Sequence, residues 1–153
     1  MEIYYNQFTH RFDVKKWGYY FQQMPADIQE RIRRYRKEEN KYQCLIGRLL
    51  VKYGMNDLGF KNFDLSAIYY DENNCPRWKE EMHFNIAHSG NIVACAFSNQ
   101  YKIGLDIEKI RQINLKDFTH ILNDIDHQNI AKAKNPYHAF FKIWKIKEAV
   151  TKA

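Results

Sequence analysis

Asp106 and Glu108 stand two positions apart in "GLDIEKI", residues 104–110, a stretch that otherwise favours burial. In "YKIGLDIE", Ile103, Leu105 and Ile107 share one parity, while Gly104, Asp106 and Glu108 share the other. Period two is the strand signature and turns both acids to one face. At a rise of about 3.3 Å per residue, their Cα atoms would lie roughly 6.5–7 Å apart. Two anions so placed repel unless a cation stands between them. A divalent ion meets that need, and an oxygen-only pair favours a hard one such as Mg2+. For the strand alone the ordinary reading is a solvated face whose acids pair with Lys102 and Lys109.

A third acid comes from the far end of the chain. In "FFKIWKIKEAVTKA", Phe140, Ile143, Ile146 and Val150 favour the core of a helix, and Trp144, Glu148 and Lys152 fall four apart on one stripe. Glu148 alone would be a surface partner of Lys152 or Lys145. Beside a pair of strand acids it becomes a candidate third ligand.

The elements that must position these groups follow from pattern. "EIYYNQF" reads as a first strand. From Met24 a helix is predicted, with Pro25 in its first turn and Ile28, Ile32 and Tyr35 at helical spacing. A second helix is predicted over about 38–53, with Leu45, Ile46, Leu49, Leu50 and Tyr53 as its buried stripe and Gly54 as its stop. "FDLSAIYYD" reads as a strand and "ENNCPRW" as a loop. "HFNIAH", "NIVACAF" and "KIGLDIE" read as a three-stranded meander whose middle strand is buried on both faces. Residues 111–136 predict one or two modest helices on Leu115, Phe118, Ile121, Leu122 and Ile130, and a strong helix follows Pro136.

The 153 residues suit one ordinary domain or two small halves. With 45% hydrophobic and 16% aromatic residues the chain is globular, not disordered. A net charge of +6 attracts polyanions without choosing among them. Three scattered cysteines (Cys44, Cys75, Cys95) form no CxxC pair, so neither a disulfide framework nor a zinc site is expected and a reducing, cytoplasmic setting fits. "MEIYYNQF" has an acid at position 2 and no apolar core, so no secretory leader is expected. No apolar run reaches membrane-spanning length, so no membrane partner is expected.

Three blocks, "FNIAHSG" (84–90), "IGLDIE" (103–108) and "WKIKEAVTK" (144–152), stand in this order. Together they resemble the 4′-phosphopantetheinyl transferases, in the larger pseudo-dimeric kind exemplified by surfactin-synthetase activating enzymes. That family carries "N-[ILV]-[ST]-H-[ST]", "G-[ILV]-D-[ILV]-E" and "W-x-x-K-E-[AS]-x-x-K" blocks in the same order. The resemblance implies an α+β fold, a small antiparallel sheet packed by helices, with an N-terminal half-module over 1–101 and a truncated, incomplete C-terminal half-module over 102–153. It implies transfer of the phosphopantetheine arm of coenzyme A to a serine of an acyl or peptidyl carrier protein, dependent on Mg2+. Asp106, Glu108 and Glu148 would hold the metal, and Glu148 would also be the base for the carrier serine. Lys152 would be catalytic and bind coenzyme A phosphates, and His88 would hydrogen-bond a phosphate. Lys147 would give phosphate or structural support, and Arg31 would meet the 3′-phosphate and adenine end.

The chain departs from the family pattern at Ala87, where Ser or Thr is usual, and at Asn74-Cys75-Pro76, where Gly-Lys-Pro is common. Arg77 is the nearest cation to replace that lysine. Relatives continue past "KEAVTKA" with further strands, so a truncated chain of low activity is expected. Two rivals stand beside the transferase: a non-catalytic module that binds coenzyme A or a carrier protein, and a nucleic-acid binder using the basic run Arg31–Lys37. Three convergent carboxylates would repel nucleic acid, so no nucleic-acid partner is expected.

Overall fold

The computed structural model describes residues 1–9, 12–72, 75–79 and 82–153. In chain order it has β1 (Glu2–Gln7), α1 (Val14–Gln22), α2 (Ala26–Arg34), α3 (Glu38–Asp57), β2 (Tyr69–Tyr70), β3 (Pro76–Arg77), β4 (His83–Ser89), β5 (Ile92–Ser98), α4 (Asp124–Lys132) and α5 (Pro136–Lys152). Short 3-10 segments cover Leu65–Ala67 and Leu115–Ile121. The result is the expected α+β arrangement.

The main sheet is antiparallel in the order β1-β5-β4. β5 is central, and Val93 through Ser98 are all buried, as a run of small and apolar residues requires. Gly90, at φ +56°, makes the tight β4–β5 turn. One face receives α3, where Leu45, Val51 and Met55 pack with Phe84, Cys95 and Phe97. By alternation Asn85, Ala87 and Ser89 point to the other face. The third strand of the expected meander does not form. Residues 102–114 carry no strand, and β1 takes the free edge of β5 instead.

That segment is tethered by side chains. The Leu105 amide donates to Asn85 Oδ1 at 3.1 Å, and the Lys109 amide donates to Ser89 Oγ at 3.0 Å. Both partners advance in the same direction, so residues 105–109 run parallel to β4. A third meander strand would need the other edge of β5, which β1 holds, and this explains the missing ladder.

α3 runs past the expected stop at Gly54. Glycine stands there for space: a Cβ would sit 2.4 Å from Phe97 Cε2 and 3.1 Å from Tyr4 Cδ2. The true stop is Gly59, at φ +97°, where the Phe60 amide donates to the Met55 carbonyl and the Gly59 amide to that of Asn56. That pair of bonds is a Schellman ending. Tyr53, expected in the buried stripe, is 61% exposed; Val51 and Met55 take its place. In "FDLSAIYYD" the Asp64 side chain accepts from the Ser66 amide and bends the chain into a 3-10 turn, leaving only β2 as strand. β2 pairs with β3, inside the stretch expected as a loop; Asn73 and Asn74 of that stretch lie outside the described residues.

α1 has no counterpart in the pattern reading. It is nine residues long with Gly18 at its centre, and Asp13 caps it by accepting from the Lys16 amide. A second, smaller core joins α4 and α5 through Ile130, Phe140 and Phe141, with Phe118 and Trp144 packed against them. Ile146 and Val150 stay outside it, 57% and 71% exposed, contrary to expectation. α5 meets the chain at Gly104, where a Cβ would lie 1.7 Å from the Ala149 carbonyl oxygen. Only glycine permits this backbone contact.

Candidate functional site

Two groups of polar side chains adjoin across His88. The first lines a cavity of about 210 Å3 among α2, α3, β2 and β4, with Arg31, Gln43, Cys44, Arg48, Tyr70 and His88 in its wall. Arg31 comes from the last turn of α2, and its Nη1 donates to the Tyr70 hydroxyl at 3.1 Å. Arg48 comes from the sheet-facing side of α3 and donates from Nη2 to the same hydroxyl. Both guanidiniums lie over the Tyr70 ring, at 5.5 and 5.9 Å from its centroid. Arg48 is only 6% exposed, its Nε has no hydrogen-bond partner, and among the described residues neither arginine pairs with a carboxylate.

Two guanidiniums meeting at a neutral hydroxyl leave their charge uncompensated. Such a pocket is suited to an anion with several oxygens, because arginine binds phosphate in a planar fork. Arg31 was expected here from sequence; Arg48 was not. Its signal was an arginine set inside the otherwise apolar run "CLIGRLLV", although it lies off the expected buried stripe. Gln43 was also missed. Its Nε2 donates to the Gly90 carbonyl at 2.8 Å and fixes the turn that follows His88.

His88 ends β4 at the cavity wall. Burial of the ring, and then the charge of Lys152, push its pKa below the ordinary histidine value. The ring is therefore neutral at pH 7 and acts there as a single N–H donor and a single acceptor.

The second group lies on 105–109 and the end of α5. Lys152 Nζ is 2.5 Å from Asp106 Oδ1 and 3.4 Å from the Leu105 carbonyl. The Asp106 side chain is 8% exposed, and its Oδ2 is buried with no hydrogen-bond partner. Glu108 has its pKa raised by burial and then by Asp106, with a further push from Glu148. The three acids thus feel one another. They do not converge: among the described residues no three His, Cys, Asp or Glu side chains stand close enough to hold a metal ion.

The donor set nevertheless suits a hard divalent cation. It offers carboxylate oxygens, one of them buried and unpartnered, and a Glu108 charge that its neighbours destabilise. Lys147 is elsewhere, in a 2.9 Å ion pair with Asp126 of α4. Arg77, the expected replacement for the missing lysine, is in a 2.7 Å ion pair with Asp71.

Residues 12–100 match a family model described as 4′-phosphopantetheinyl transferase, N-terminal, and residues 102–153 match one described as 4′-phosphopantetheinyl transferase superfamily. The chain is 30% identical to the 4′-phosphopantetheinyl transferase gsp of Aneurinibacillus migulanus, over all of this chain and 65% of the relative. It is 31% identical to the 4′-phosphopantetheinyl transferase Sfp of Bacillus subtilis (strain 168), over 80% of this chain and 56% of that protein. With the 4′-phosphopantetheinyl transferase AcpT of Escherichia coli (strain K12) the identity is 30%, over 71% of this chain and 55% of the relative. The chain spans about half to two thirds of the length of these relatives. With family models matching on both sides of residue 101, the chain belongs to the 4′-phosphopantetheinyl transferase superfamily.

Proposed function

We propose that this chain carries the machinery to move phosphopantetheine from coenzyme A to a serine of an acyl or peptidyl carrier protein. The observation that carries the reading is adjacency: the Arg31/Arg48/Tyr70 pocket and the Asp106/Glu108/Glu148 acids lie on the two sides of His88 and Lys152. A substrate in which a diphosphate joins a phosphorylated nucleoside to the transferred arm needs both. The half 1–101 would supply the nucleotide pocket, and the half 102–153 the acids.

In this mechanism Arg31 and Arg48 bind the 3′-phosphate of coenzyme A, and His88 donates its N–H to a phosphate oxygen. Lys152 holds diphosphate oxygens. Glu148 takes the proton of the carrier serine as the serine oxygen attacks the phosphorus next to the pantetheine arm. The new O–P bond forms as the bond to adenosine 3′,5′-bisphosphate breaks, and that product leaves with the electron pair. Mg2+ held by Asp106, Glu108 and Glu148 would neutralise charge on the diphosphate. Glu148 would contribute mainly by its position. The absence of disulfides among the described residues suits a cytoplasmic protein, and no described helix is long and apolar enough to cross a membrane.

A second reading, binding of coenzyme A or a carrier without turnover, is favoured by Lys152 sitting on Asp106 and by acids that do not converge. Incubating an apo carrier protein with the chain, coenzyme A and Mg2+ separates the two. Transfer adds the mass of one phosphopantetheine to the carrier. An unchanged carrier mass, with coenzyme A bound, selects the second reading.

A further inference from the structure

We infer that Lys152 serves as the built-in counter-ion of Asp106, and that its exchange for a divalent cation couples metal binding to coenzyme A binding. This rests on the proposed function for the identity of both ligands.

Asp106 is a carboxylate with an 8% exposed side chain. A buried charge needs a partner, and removing the partner is strongly unfavourable. Lys152 is that partner, at 2.5 Å, yet it satisfies one oxygen and leaves Oδ2 bare. Its side chain is 30% exposed, so the ammonium is only part-way into the protein. A lysine ammonium is a point charge on a flexible four-carbon stem. It can swing from one anion to another while its backbone stays still.

The two backbones are in direct contact here. Gly104 brings residue 104 against the last turn of α5, where an added Cβ would lie 1.7 Å from the Ala149 carbonyl oxygen and 3.0 Å from the Ala153 amide nitrogen. The ammonium also acts on the other side of the site, because its charge depresses the His88 pKa. Lys152 therefore stands between the acids and the arginine pocket and can serve either.

A cation entering among Asp106, Glu108 and Glu148 competes with Lys152 for the same carboxylate and repels the ammonium outward. A phosphate at His88, such as the 5′-phosphate of a bound nucleotide, draws the ammonium from Asp106 and vacates a ligand. Each ligand thus removes the obstacle to the other. Such coupling is reciprocal and typically amounts to about 5–150-fold in affinity.

The test measures binding and needs no turnover. Free Mn2+ is followed by electron paramagnetic resonance as the metal is titrated into the full chain, with and without adenosine 3′,5′-bisphosphate, against protein-free blanks. The bisphosphate should tighten Mn2+ binding to the unaltered protein at least about fivefold. Lys152→Met should bind Mn2+ more tightly than the unaltered protein when the bisphosphate is absent, and should show no further gain when it is added. Lys152→Arg, which keeps the cation, should retain both the weaker metal binding and the coupling. Equal or weaker Mn2+ binding by a folded Lys152→Met, or coupling that survives it, overturns the inference. So does failure of the unaltered chain to bind Mn2+ at all. Should Lys152→Met not fold, loss of coupling in Lys152→Arg, or its absence in the unaltered protein, overturns the inference equally. Coupling without any mass change on a carrier would instead count against the transfer reading alone.

Discussion

Arg48 reaches from the buried side of α3 to the hydroxyl of Tyr70, and this bond connects the long helix to the short β2 strand. Among the described residues the arginine has no acidic partner, so the bond orients the guanidinium without neutralising it. Arg48→Met should therefore weaken binding of coenzyme A by about 10–100-fold, as expected for one charge-assisted hydrogen bond. It should leave the melting temperature unchanged or higher, because an uncompensated buried charge costs stability. Calorimetric titration and a thermal melt of the same preparation check both halves.

Gly104→Ala should act on the site and spare the sheet. Its methyl group meets backbone at 1.7 Å, so α5 must withdraw from residues 104–106. A shift of about 1 Å at a reacting group costs on the order of a hundredfold in rate. Transfer should fall by about that factor while far-ultraviolet circular dichroism stays close to that of the unaltered protein.

Gly54→Ala should do the reverse. Here the new methyl group meets the Phe97 ring at 2.4 Å, inside the main core. Overpacking costs about 1–3 kcal/mol, and the better helix propensity of alanine returns up to about 1 kcal/mol. A net loss of about 1–2 kcal/mol should be read from urea unfolding, with coenzyme A affinity of the folded fraction retained.

The pH response should carry the mark of Glu108. Its pKa is raised in the folded protein by burial and by Asp106, so the folded state holds this proton more tightly than the unfolded chain. Stability from that source is full below the ordinary glutamate pKa and is lost as pH rises through the raised value. Metal-free Glu108→Gln should thus melt above the unaltered protein at neutral pH, and the gap should narrow toward pH 4. Added Mg2+ should narrow it too, by stabilising only the protein that keeps the carboxylate. Melting curves across pH, with and without the metal, test the sign.

Much of this was legible in the sequence where a single physical signal acted alone. β4 and β5 follow from short strand-like runs bounded by turns, with β5 apolar enough for burial on both faces, and Ile28 and Ile32 mark the buried side of α2. The reading failed where two signals shared a residue type. Gly54 looks like a stop because glycine often ends helices, yet its role is to admit the Phe97 ring. Residues 103–108 alternate as a strand does, but they run parallel to β4 and are fastened by Asn85 and Ser89. Ile146 and Val150 have the spacing of a buried stripe, although the α4–α5 core closes on Phe140 and Phe141. Asp106 and Lys152 were each singled out by motif. Their contact with each other, across 46 positions of sequence, was invisible to any local pattern.

The tether between β4 and residues 105–109 gives the two parts of the site different local stabilities. Among the described residues no backbone hydrogen bond joins that segment to the sheet. Lifting it off breaks the bonds to Asn85 and Ser89, the Asp106–Lys152 pair and the Lys152 bond to the Leu105 carbonyl, while both strand ladders stay whole. Opening of this kind requires far less free energy than global unfolding. The arginine pocket belongs to the cooperative unit formed by α3 and the sheet. The segment that carries Asp106 and Glu108 can fray and reseat on its own, so the arginine pocket can be in place before these two acids are ordered beside it.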